Sequence, residues 1–134
     1  MATATRPGLI IPMRTYRGLN DREHPMSRHR RVRREKDEVW AELRMYSGRH
    51  GKPAIPCSVL LTRLGPSPGL DDDNLVGALK ATRDAIAVWL GVNDRDHMTV
   101  RYLYAQAWAP AWGVRIEFGE PAPDTPYVLD LTAK

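Results

Sequence analysis

The sequence predicts an α/β (α+β) single domain, a mixed sheet packed with two helices in the order β-α-β-α-β-β. Three observations carry this. The chain has 134 residues, the size of one ordinary domain, and 43% of them are apolar, enough for a core. Segments 28–47 and 74–90 repeat apolar residues at helical spacing. Segments 98–108 and 112–118 alternate apolar and polar residues, as half-buried strands do.

Residues 8–13, Gly-Leu-Ile-Ile-Pro-Met, read as a short first strand, which Pro12 confines to a sheet edge or a strand end. Residues 14–26 are polar and irregular, and Pro25 and Ser27 then mark a helix start. The helix runs from 28 to about 47, with Val32, Val39, Leu43 and Tyr46 near one face, and Gly48 and Gly51 stop it. Residues 55–64 read as a second strand, with Cys57 packed in the core. A stiff loop, Gly65-Pro-Ser-Pro-Gly69, follows. The 74–90 helix carries a buried stripe of Leu75, Leu79, Thr82, Ile86 and Trp89, and Gly91 closes it. In the next strand Met98, Val100, Tyr102 and Tyr104 share a side; in the last, Trp112, Val114, Ile116 and Phe118 point inward. Ala109-Pro110-Ala111 joins these two as a hairpin, with Trp108 and Trp112 as hairpin and core aromatics. The domain is read as residues 1–120. Residues 121–134, with Pro121, Pro123 and Pro126, form an extended arm that Tyr127-Val128-Leu129 could dock.

Composition narrows the function. No run of about 18 apolar residues occurs, so nothing is expected to span a membrane. The four-residue apolar stretch near the N-terminus is too short for a secretory signal, and a cytoplasmic protein is expected. A single cysteine excludes an internal disulfide framework and a Cys-rich zinc module. His24, His29, His50 and His97 show no metal-ligand spacing. The net charge is +4, but residues 1–52 carry 13 basic and 6 acidic side chains, whereas 53–134 carry 7 and 10. Sixteen of the twenty cations are arginine, whose planar fork suits phosphate. The densest patch is Arg28, Arg30, Arg31, Arg33, Arg34 and Lys36. It reads either as a nucleic-acid footprint or as a solvated helix face balanced by Glu35, Asp37, Glu38 and Glu42.

The chemistry-bearing motif is Asp71-Asp72-Asp73-Asn74, between the Gly/Pro loop and the helix. Three adjacent carboxylates converging on one pocket repel one another, and a divalent cation removes that cost. Mg²⁺ takes hard oxygen ligands, commonly one or two carboxylates with water and phosphate completing the shell. In an extended segment Asp71 and Asp73 point the same way and Asp72 away. The alternative is structural: Asp at a helix N-cap or in a first turn meets free N–H groups. Lys80 lies seven residues past Asp73, about 10 Å along a helix axis. It either reaches a phosphate or pairs with Asp84 at i,i+4. A second acidic group, Asn93-Asp94-Arg95-Asp96, follows the helix; spacing alone does not bring it to the first and equally describes a surface turn.

The run from Asp71 to Leu75, then Lys80-Ala81, Arg83-Asp84-Ala85-Ile86 and Leu90-Gly91-Val92-Asn93-Asp94, resembles the RusA family of Holliday junction resolvases, in particular its phage and prophage branch. The resemblance is strong over 70–106, including Tyr104 and Gln106, and weaker from Asn20 to Lys36; it does not cover the tail after 119. It implies a RusA-like α/β homodimer that cuts branched DNA, four-way junctions, by paired nicks with Mg²⁺ or Mn²⁺. The family's metal-binding aspartates map onto Asp71, Asp73 and Asp94, with Asp96 as an alternative to Asp94. The family lysine maps onto Lys80, one helical turn later than in the shortest family version. The competing expectation is a DNA-binding protein of phage origin without catalysis; a third is an assembly protein whose acidic loop only caps a helix.

Overall fold

The structure is a computed structural model that describes residues 7–15, 24–93, 99–121 and 128–130. Its elements are β1 (Leu9–Ile11), α1 (Pro25–His50), β2 (Cys57–Gly65), α2 (Asp72–Ala78), α3 (Lys80–Leu90), β3 (Val100–Trp108), β4 (Gly113–Gly119) and β5 (Val128–Asp130). The class is α+β: among the described residues, a mixed five-stranded sheet with three helices, in the spatial order β1-β4-β2-β3-β5.

β2 and β3 run parallel, from Cys57 opposite Val100 to Gly65 opposite Trp108, with α2 and α3 in the crossover. The expected hairpin between the last two long strands does not form. β4 pairs antiparallel with β2, on the side away from β3. Residues 109–112 therefore step across the end of β2, and the Ala109 N–H donates to the Gly65 carbonyl at 3.1 Å. Two strand spacings are about 9.6 Å, which four residues span easily. Placing β2 centrally gives both edges of its backbone a ladder.

One face of the sheet holds the core. Val59 and Leu61 of β2, Val100, Tyr102 and Tyr104 of β3, and Val114, Ile116 and Phe118 of β4 are all buried there. The helices supply Val39, Leu43, Tyr46, Leu75, Leu79, Ile86 and Trp89. Tyr46, Trp89 and Phe118 form an aromatic cluster with ring centroids 5.6–6.2 Å apart. The Tyr46 hydroxyl donates to the Pro7 carbonyl at 2.6 Å.

Several sequence expectations need correction. α1 is longer than expected: Pro25 opens it, Gly48 lies inside it, and Gly51, at φ 70°, ends it. Its residues 25–30 are all exposed, and Val32 is only half-buried because the first turns extend past the core. The 74–90 helix is two helices, broken at Leu79 (φ −100°, ψ 5°), whose N–H is shared between the Leu75 and Val76 carbonyls. The stripe Leu75, Leu79, Thr82, Ile86 and Trp89 is nevertheless buried throughout. Gly91 adopts the left-handed conformation that closes α3. Trp108 is exposed rather than in the core. Val128–Asp130 add β5, parallel to β3 at Tyr104–Gln106, so the tail contributes a strand. β1 is an edge strand with Pro12 just past it, and Cys57 is buried, both as expected.

Candidate functional site

The loop leaving the carboxyl end of β2 delivers the acidic motif. Gln106, on β3 beside Arg63, holds this loop: its side-chain carbonyl accepts from the Leu70 N–H and its amide donates to the Leu70 carbonyl, both at 2.7 Å. Asp71 follows directly. Its backbone is extended, and its Oδ1 accepts from the Asn74 N–H at 2.9 Å, so Asp71 is the N-cap of α2. Asp72 and Asp73 occupy the first helical turn.

Asp71 and Asp73 both line an open pocket of about 560 Å³, with Asn74, Val76, Gly77, Lys80 and Arg83. Asp72 is not among its walls. The pocket thus joins three of the four residues that the sequence singles out, Asp71, Asp73 and Lys80. Asp94, the fourth, lies outside the described residues, as does Asp96. Among the described residues no three His, Cys, Asp or Glu side chains converge as a metal-binding group. Two exposed carboxylates on one pocket remain a fitting donor set for a hard cation, which commonly takes one or two.

Lys80 donates to Asp84 at 2.9 Å, the i,i+4 pair that its spacing offers. Asp84 also meets Arg83 at 3.6 Å and Lys36 of α1 at 3.9 Å. Through Asp84 the basic helix reaches the helix that walls the pocket. Sequence reasoning passes over Arg83 as a site residue, although its i+3 spacing from Lys80 places both on one helical face. Its guanidinium approaches the Tyr104 hydroxyl at 3.5 Å. Burial pushes the Tyr104 phenol above its ordinary value, and Arg83 opposes that rise.

The basic stripe is not uniform. Arg28, Arg30, Arg33 and Arg34 are on α1, and all four are exposed. Arg31 instead donates to Glu35 at 2.7 Å, and Glu35 is buried at 3% exposure. Lys36 is half-exposed beside Asp84. His24 caps the helix by accepting from the Met26 N–H through Nδ1. Among the described residues, no helix is long and apolar enough to cross a membrane. Comparisons with protein-family models, with curated proteins and with solved structures find no match to this chain.

Proposed function

We propose that this chain is a metal-dependent, structure-specific endodeoxyribonuclease of the RusA type, acting on four-way DNA junctions as a homodimer. The single observation that carries the reading is the pocket at the start of α2, where Asp71 and Asp73 share walls with Lys80 and Arg83. Carboxylates beside cations suit a phosphodiester: the first hold a hard cation, the second hold the phosphate.

In this reading Asp71 and Asp73, with Asp94 by resemblance, hold Mg²⁺ or Mn²⁺. Such an ion supplies an activated water and neutralises charge building on the scissile phosphate. The chain's own residues do the rest. The N-cap bond from Asn74 orients the Asp71 carboxylate. Lys80 and Arg83 steady the phosphate and the leaving oxygen. Asp84 holds the Lys80 ammonium at 2.9 Å, a bond for which a DNA phosphate would compete. The exposed arginines of α1 hold the junction arms through phosphates, which positions DNA without reading sequence. A two-fold dimer matches a substrate that needs two opposed nicks.

The test is cleavage and binding of a synthetic four-way junction, with and without Mg²⁺. Asp73→Asn should abolish nicking and leave junction binding within about twofold, since it removes one exposed carboxylate. Nicking at the wild-type rate would refute the assignment. A specific observation favours a second reading. Asp71 is a helix cap and Lys80 is ion-paired, so both have structural roles without catalysis. A non-catalytic binder of branched or duplex DNA would bind the junction and show no Mg²⁺-dependent nicking.

A further inference from the structure

Arg63 stands on the core-facing side of β2, in line with Val59 and Leu61. It is 5% exposed, and its Nε is buried with no hydrogen-bond partner. No carboxylate pairs with it among the described residues. The neighbouring charge is Arg14, of the same sign, and both guanidiniums lie against the Trp112 ring, Arg14 at 4.4 Å and Arg63 at 5.1 Å. Burial, and then Arg14, hold the Arg63 guanidinium below its usual value. A buried cation beside a like charge is costly unless an anion completes it; the ring's quadrupole offsets only part of this.

Arg63 also lines a second pocket, of about 190 Å³, with Gly65, Ser67, Gly69, Gln106 and Trp108. Two glycines let its walls pack closely. A Cβ on Gly69 would meet the Gln106 amide at 2.9 Å, and one on Gly65 would meet the Trp112 ring at 2.2 Å. Gln106, which lines this pocket, is the residue that fixes Leu70 and hence Asp71. The two pockets are therefore joined by the Gly69–Asp71 segment.

We propose that Arg63, together with Arg14 on the same tryptophan, forms an anion site that takes a phosphate group of a DNA strand. The planar fork of arginine grips phosphate through paired N–H donors. Naming DNA as the source rests on the nuclease reading; the phosphate chemistry does not.

The experiment measures thermal stability against inorganic phosphate, and fluorescence anisotropy of a four-way junction, both in EDTA. Wild-type protein, Arg63→Met, Arg63→Lys and Arg14→Gln are compared. Phosphate should raise the wild-type melting temperature, do so less for Arg63→Lys and Arg14→Gln, and not at all for Arg63→Met. Without phosphate, Arg63→Met should melt no lower than wild type, because the deleted charge had no partner. Junction affinity should fall about tenfold or more in Arg63→Met, as loss of charge-assisted hydrogen bonds implies. An Arg63→Met chain that melts lower or fails to fold would make Arg63 a structural stack on Trp112 and overturn the proposal. So would a wild type indifferent to phosphate. A phosphate response with unchanged junction affinity would overturn DNA as the source. None of these measurements reads cleavage, so they fail or succeed separately from the Asp73→Asn test.

Discussion

Gln106 treats Leu70 as a neighbouring strand would, satisfying its N–H and its carbonyl with one side chain. Replacing it with leucine leaves two half-buried backbone groups unpaired, which costs about 1–3 kcal/mol. We expect Gln106→Leu to lower the denaturant midpoint accordingly, and to lower junction nicking further by releasing Asp71. Stability equal to wild type would show that the loop is held elsewhere. Among individual residues the sequence is partly legible. The Lys80–Asp84 bridge follows from local spacing alone, whereas Asp71 and Asp73 line one pocket with Asp73 inside the helix, not on the extended backbone that alternation assumes. Gln106 and Leu70 are 36 residues apart, and no local pattern announces their contact.

Among the helices, α1 shows how charge and burial divide one stripe. Glu35 continues the buried face of Val39, Leu43 and Tyr46, and Arg31 turns inward to meet it. The exposed arginines are left to face solvent. Neutralising Arg30, Arg33 and Arg34 to glutamine should weaken junction binding and flatten its salt dependence by about 0.9 for each phosphate no longer neutralised. Arg31→Gln should leave that slope unchanged while lowering stability by about 1–3 kcal/mol, since it removes the 2.7 Å partner of a buried carboxylate. Anisotropy titrations over a salt series check the first expectation and chemical denaturation the second; an equal slope change from Arg31 would contradict the division. The basic run is plain in the sequence, but which arginine serves the core depends on Glu35 being buried. The break at Leu79 is equally hidden, because the apolar stripe continues in phase across it.

For the molecule as a unit, the defining feature is the passage of the chain from β3 over β2 to β4. It needs Gly65 at the crossing, where Trp112 lies against the strand end. Gly65→Ala should cost about 1–3 kcal/mol, because a methyl group there overpacks a ring already held by two arginines. Calorimetry measures this; an unchanged melting temperature would mean that Trp112 moves without penalty. Short stretches of the chain suffice to specify the class, most element positions, the core stripes and the acidic motif opening a helix. Each depends on side chains a few residues apart, where the periods of helix and strand leave a readable trace. Three features come from folding alone: β2 lies between β3 and β4, Arg63 is buried beside Arg14, and Gln106 anchors the acidic loop. These contacts join distant segments, and the strand order satisfies the backbone of a central strand on both edges, a requirement that no short window of sequence expresses.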